Sequence, residues 1–296
     1  MSRVDYPNAT CVALLKATGI WKPLPAVMVV SLLVFLFYDV TGSLSSCYGY
    51  LDAVSRIYVV DYPPLAAAAE ILSRPWSFWM FAPLSYILRL ALDFPFSTMQ
   101  MLLARGVSSQ TLLKSMLMGL VSHACTYWLP HCLIAIAAAS FFCTGSYDIE
   151  YLADLYNGGA SIFVEDAHLA SASMCVGSYL LVLAPVAVSL SLYLLTGSAR
   201  ISCLIPAALA LMRLYGFPAL YSMMPGLTPY LQQLNEVLNS LFSIVVQIEW
   251  AFPKGSLAIW AGKNMLLPVV ALCFSYWAIM KPSGRRGQVA CSKCRF

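Results

Sequence analysis

Six residues stand where an ionisable or strongly polar side chain would have to be used: Asp39, Arg89, Arg213, Gln247, Glu249 and Lys263. Each lies in or beside a long apolar stretch. A charge at bilayer depth is costly, so such residues are candidates for an ion or proton path, or for charge pairs that tie helices together. Asp39 lies deep enough in its stretch to need a partner, for which Arg89 is available. Arg213 has Glu236 and Glu249 as candidate partners, and Arg213, Gln247 and Glu249 together make a candidate proton path. Lys263 sits close enough to the end of its stretch to snorkel to the interface.

His123 and His131 are the histidines within the apolar stretches. On one helix, eight positions differ by about 80° and rise about 12 Å, so the pair cannot ligate opposite faces of one haem. Each is expected either to be hydrogen-bonded inside the protein or to serve a membrane enzyme. The chain has no H-E-x-x-H, P-loop, dinucleotide-binding glycine motif or G-x-S-x-G nucleophile elbow. No catalytic residue, metal site or cofactor is therefore expected, beyond bound structural lipids. The pair Cys291 and Cys294 supplies two of the four ligands a structural zinc requires. Cysteines in apolar stretches, such as Cys132 and Cys175, read as small buried hydrophobes.

Charged residues make up 10% of the 296 positions and hydrophobic residues 60%, with a mean hydropathy of +0.77. A soluble domain carries about 25% charged residues. A chain this poor in charge cannot cover a water-facing surface of its own size. The reading is all-α: one polytopic transmembrane helical bundle spanning 1–296, with no nucleic-acid partner. About 20 apolar residues cross the hydrocarbon core, and six candidate spans result, at 24–46, 76–94, 117–143, 171–196, 231–251 and 257–280. The fifth is loaded with Gln232, Gln233, Asn235, Glu236 and Asn239. Its rival is 201–224, interrupted by Arg213 and Pro218, so five to seven spans are open.

Charge placement tests the count separately, because Lys and Arg gather on the cytosolic or matrix side. With six spans, Arg3, Lys16, Lys22, Arg105, Lys114, Arg200, Arg213 and the cations of the 281–296 tail share one side. The loop 145–168 carries Asp148, Glu150, Asp154, Glu165 and Asp166 without a Lys or Arg, and falls on the other. The N-terminal segment 1–23 matches neither a secretory signal nor an acid-free transit peptide.

Three spans carry a candidate kink proline: Phe94-Pro95-Phe96-Ser97, Ala184-Pro185-Val186-Ala187 and Leu267-Pro268-Val269-Val270. Proline removes a helix hydrogen bond and kinks its span. On Asp93-Phe94-Pro95-Phe96-Ser97 and on Tyr215-Gly216-Phe217-Pro218, the chain resembles the mitochondrial carrier family. That family places an acidic residue after the kink proline, where this chain has Ser97, Ala187 and Val270. The resemblance implies a carrier-like fold without the gate charges of a transporter. Leu209-Ala210-Leu211-Met212-Arg213-Leu214 and Val245-Val246-Gln247-Ile248-Glu249-Trp250 are similar to the paired helices of the proton-channel subunit a of rotary ATP synthases, which would make Arg213 the residue separating two half-channels.

These readings converge on a non-catalytic integral membrane subunit of a multi-subunit complex, respiratory or ATP synthase, in the mitochondrial inner membrane. Its partners are other membrane subunits and lipids. A proton-channel or solute-transport component with Arg213 in the pathway, and a membrane enzyme using His123 or His131, are the alternatives.

Overall fold

The computed structural model describes residues 19–47, 64–73, 76–105, 107–143, 160–234, 266, 269–274 and 276–277. Among these, every regular element is helical. Helix α1 (Pro25–Val34) opens on a proline, whose missing N–H costs nothing at a helix start. It runs without a break through a π-helical turn, Phe35–Val40, into α2 (Thr41–Cys47). The hydroxyl of Thr41 donates to the Phe37 carbonyl at 2.7 Å, occupying an oxygen of the widened turn. Helix α3 is Pro64–Ser73 and α4 is Trp76–Asp93.

At Pro95 the chain bends by 53° into α5 (Phe96–Ala104). Pro95 has no N–H to continue the ladder of α4, so the kink expected from the sequence is made here. Helix α6 (Ser109–Phe142) is capped by Ser108, whose Oγ accepts the Thr111 N–H at 3.1 Å. Helix α7 (Ala160–Thr196) continues without a break through Pro185, which is buried. It ends at Gly197, held at φ +69°. A Cβ there would also stand 3.2 Å from the Phe96 ring, so glycine is needed for both conformation and space. Helix α8 (Ala199–Leu211) continues through a second π-helical turn, Met212–Gly216, into α9 (Phe217–Met223).

Three segments are long and apolar enough to cross a membrane: Pro25–Leu44, Ser109–Phe142 and Cys175–Thr196. The bent pair α4–α5 makes a fourth. They coincide with four of the six stretches expected. Of the other two, residues 231–234 and a few positions between 266 and 277 are described, and these are helical. Ser191 on α7 holds that later stretch by donating to the Ala271 carbonyl at 2.5 Å. The rival stretch 201–224 is also helical, through α8, its π turn and α9. The expected loop 145–168 is shorter than its charges suggested, because α7 already begins at Ala160. Charge counting is blind to helices that extend past the membrane.

Helix α7 is the axis of the bundle: 67% of its apolar window is buried, against 28% for the windows in Pro25–Leu44 and in α6. It packs against α3, α4, α6 and α8. Helix α3 was not anticipated. Its 10 residues reach only about 15 Å, too short for a span, yet Ala67 and Ala68 are fully buried. Alanines let α3 wedge closely between α6 and α7.

Side-chain contacts fix the directions. Phe35 stacks on Phe78 and Tyr38 meets Trp76, while Leu24 binds Ser85, so α1 and α4 are antiparallel. Tyr86 binds the Met116 carbonyl and Phe78 meets Tyr127, so α4 and α6 are antiparallel too. Phe96 packs on Tyr193, bringing the end of α7 to the α4–α5 bend. Arg89, Asp93, Arg105, Lys114 and Arg200 therefore lie toward one end of the bundle, and Asp39 toward the other.

Candidate functional site

Helix α6 places His123, Tyr127 and His131 one turn apart on its inward face, and all three are fully buried. Small residues on the same helix, Gly119, Ala124, Ala135 and Ala139, are buried as well and let neighbouring helices approach. The opposing surface comes from Ser31 on α1, Phe35 in the π turn, and Phe78 and Tyr86 on α4. The His131 ring is enclosed by rings: Tyr127 stacks at 4.7 Å, while Phe35 and Phe78 meet it edge-on at 5.0 and 5.2 Å.

Polar atoms within this aromatic enclosure bind one another. The Tyr127 hydroxyl is hydrogen-bonded to Ser31 Oγ, which lies 3.0 Å from His131 Nε2. His131 Nδ1 lies 2.8 Å from the Tyr127 backbone carbonyl. A carbonyl only accepts, so Nδ1 carries the proton. In a neutral imidazole Nε2 then accepts from Ser31, and Ser31 accepts from Tyr127. The run has one direction: Tyr127 hydroxyl, Ser31, His131, and back to the Tyr127 carbonyl. It ties α1 to α6 and ends on backbone, with no further acceptor for a migrating proton.

His123 differs. Its ring lies between Tyr86 at 5.1 Å and Tyr127 at 6.5 Å and faces the Ile20 backbone, and among the described residues neither ring nitrogen makes a hydrogen bond of good geometry. It is covered by the segment from Gly19 to Leu24. There the Lys22 N–H closes a turn on the Gly19 carbonyl at 3.0 Å. Thr126 donates to the Trp21 carbonyl at 3.0 Å, and the Leu24 N–H donates to Ser85 at 3.0 Å. Gly19 adopts φ +58°, and a Cβ would stand 2.6 Å from Arg89 Nη2.

Asp39 and Arg89 are not partners. Asp39 is buried at the start of α4, against the backbone of Trp76 and Ser77 and the Ser77 hydroxyl. Among the described residues, its Oδ2, the Ser77 Oγ and the Trp76 Nε1 make no hydrogen bond of good geometry. Helix α4 follows Arg74-Pro75, a sequence without a capping side chain of its own. A carboxylate near its first turn faces the positive end of the helix dipole. Arg89 lies near the far end of α4 and pairs with Asp93 at 2.5 Å. Thirteen positions of one helix, about 20 Å, separate it from Trp76.

Arg213 falls in the second π turn. Tyr215 of that turn interacts with Tyr38 of the first, so the turns carrying Asp39 and Arg213 are neighbours, and Arg213 lies away from Arg200, with which charge placement had grouped it. Gln247, Glu249, Lys263 and Pro268, and the tail cysteines, lie outside the described residues. Among the described residues no three of His, Cys, Asp and Glu come together as a metal site. Cys132 and Cys175 are buried free thiols, as expected of small hydrophobes, and Cys143 is buried too, whereas Cys125 and Cys273 are exposed on the apolar surface.

Sequence reading singled out His131 but not Ser31 or Tyr127. The spacing of Tyr127 and His131, one turn apart beside buried small residues, was the available signal. Nothing in the sequence marks Ser31, since its role depends on how α1 is rotated toward α6. Compared with known protein families, curated proteins and solved structures, the chain finds no match.

Proposed function

We propose that this chain is a non-catalytic integral membrane subunit of a larger assembly, crossing the bilayer six times with both termini on the basic side. The carrier-like fragments without gate charges and the fragments similar to subunit a favour the mitochondrial inner membrane, in a respiratory or ATP synthase complex. The observation that carries the structural role is the hydrogen-bond run of Tyr127, Ser31 and His131, which closes on its own helix. A polar group spent on holding helices together leaves nothing to offer a substrate. The broad apolar exposure of α1 and α6 supports contact with lipid and neighbouring subunits. The test is solubilisation of native membranes in mild detergent, capture of the full chain, and sizing with mass spectrometry. Stoichiometric membrane partners are expected. A lone species of 32.4 kDa plus detergent overturns the reading.

One observation favours a second reading, a proton-channel or transport component. Two π turns, each carrying an ionisable residue, meet through Tyr38 and Tyr215, and π turns within α-helices are frequent at functional sites. Arg213→Gln in proteoliposomes separates the two readings. Loss of proton or solute flux supports the channel, whereas unchanged flux with lowered assembly yield refutes it.

A further inference from the structure

Three exposed cations, Arg105, Lys114 and Arg200, come from separate stretches of sequence and are brought to one end of the bundle by the antiparallel packing described above. Arg105 follows α5, the helix that leaves the span at 53° and so runs obliquely to it. Arg200 opens α8, three residues after the glycine that touches Phe96 of α5. Lys114 lies on α6, two residues before Met116, whose carbonyl binds Tyr86 of α4. Among the described residues, the acid at this end is Asp93, and it is already engaged by Arg89 at 2.5 Å. Among the described residues, no carboxylate is therefore left at this end to neutralise the three cations. Bent helix α5 buries Met99 and exposes Met101, which leaves apolar surface beside Arg105 for acyl chains.

The geometry points to this end of the bundle as a binding surface for anionic phospholipid headgroups, with Arg105, Lys114 and Arg200 as the phosphate-contacting residues. The inference rests on these helices spanning a bilayer, and stands whether or not the chain has protein partners. Free inorganic phosphate would lack the acyl chains that seat a headgroup beside α5 and the exposed face of α6. A Lys or Arg near an anionic leaflet contributes about 1 kcal/mol, or about fivefold in local lipid preference.

The test uses the full chain in bilayers of mixed phosphatidylglycerol and phosphatidylcholine. Tryptophan quenching by brominated versions of each lipid reports the relative binding constant at the protein surface. Phosphatidylglycerol is expected to be preferred severalfold, and added salt to weaken the preference. The triple variant Arg105→Gln/Lys114→Gln/Arg200→Gln should bring the two lipids close to parity. Lys22→Gln should lower the preference by less than the triple variant does, since it removes a single cation drawn over the Trp21 ring. Equal binding of the two lipids by the unsubstituted chain overturns the proposal, and this measurement needs no variant to fold. An unchanged preference in the triple variant, or equal loss in Lys22→Gln, overturns the residue assignment. Inorganic phosphate is added as a competitor, and displacement of the lipid by it would place the affinity in the anion alone.

Discussion

Replacing Ser31 with alanine removes one hydroxyl and breaks two hydrogen bonds, because Ser31 both accepts from Tyr127 and donates to His131 Nε2. Side-chain hydrogen bonds inside membrane proteins contribute about 0.6 kcal/mol on average and up to about 1.7. Two of them place the loss at about 1–3 kcal/mol. Tyr127→Phe removes only the first bond. The ring stays stacked on His131 at 4.7 Å, so its cost should be about 0.6–1.7 kcal/mol. The informative quantity is the double variant. In the Ser31→Ala background the Tyr127 hydroxyl is a buried donor without an acceptor, so removing it should cost nothing or restore some stability. Reversible unfolding of the full chain in mixed micelles, driven by a denaturing detergent and followed by circular dichroism and tryptophan emission, measures all four corners of this cycle. If Tyr127→Phe costs the same with and without Ser31, the two hydroxyls are not coupled, and the directional run through His131 is wrong.

Gly19→Ala forces a side chain into the left-handed region and onto Arg89 Nη2. A loss of about 1–2 kcal/mol is expected in the same unfolding assay, with faster protease cleavage ahead of α1; full stability would show that the segment does not rest on Arg89. Asp39→Asn keeps the shape of the side chain but removes the charge at the start of α4. Burial penalises the charged form there more than the neighbouring polar groups favour it, so the variant should match or exceed the parent in stability, and a loss above about 1 kcal/mol would mean that the start of α4 holds the carboxylate ionised. Cysteines introduced at Gln110 and Ser140, exposed near opposite ends of α6, should react with impermeant reagents from opposite sides of sealed vesicles. Labelling of both from the same side would remove α6 as a span.

Hydropathy and charge content are additive over a segment, and they located the described spans without any tertiary information. The first stretch, 76–94, 117–143 and 171–196 all fall on helices, because a helix that satisfies its own backbone can be recognised from its own residues. Pro95 was equally legible, since its missing N–H acts locally; that α7 would continue unbroken past Pro185 was not, because the burial of that helix comes from four other helices. Helix α3 escaped notice because ten residues carry no span signal, and its burial is supplied by its neighbours.

Partner identities were the part that sequence could not supply. Asp39 and Arg89 are opposite charges in adjacent spans, and on composition alone they are natural partners. The tertiary structure sets them at opposite ends of α4, one beside Trp76 and Ser77 and the other against Asp93. Likewise the eight-residue spacing of His123 and His131 excluded their ligating opposite faces of one haem, but did not show that one would bind Ser31 while the other would face the Ile20 backbone between two tyrosine rings. The amino-acid sequence by itself determined that this chain forms apolar helices and which segments they occupy. Which side chains meet depended on the rotation and axial offset of each helix against the next, and those follow from packing summed over the whole bundle.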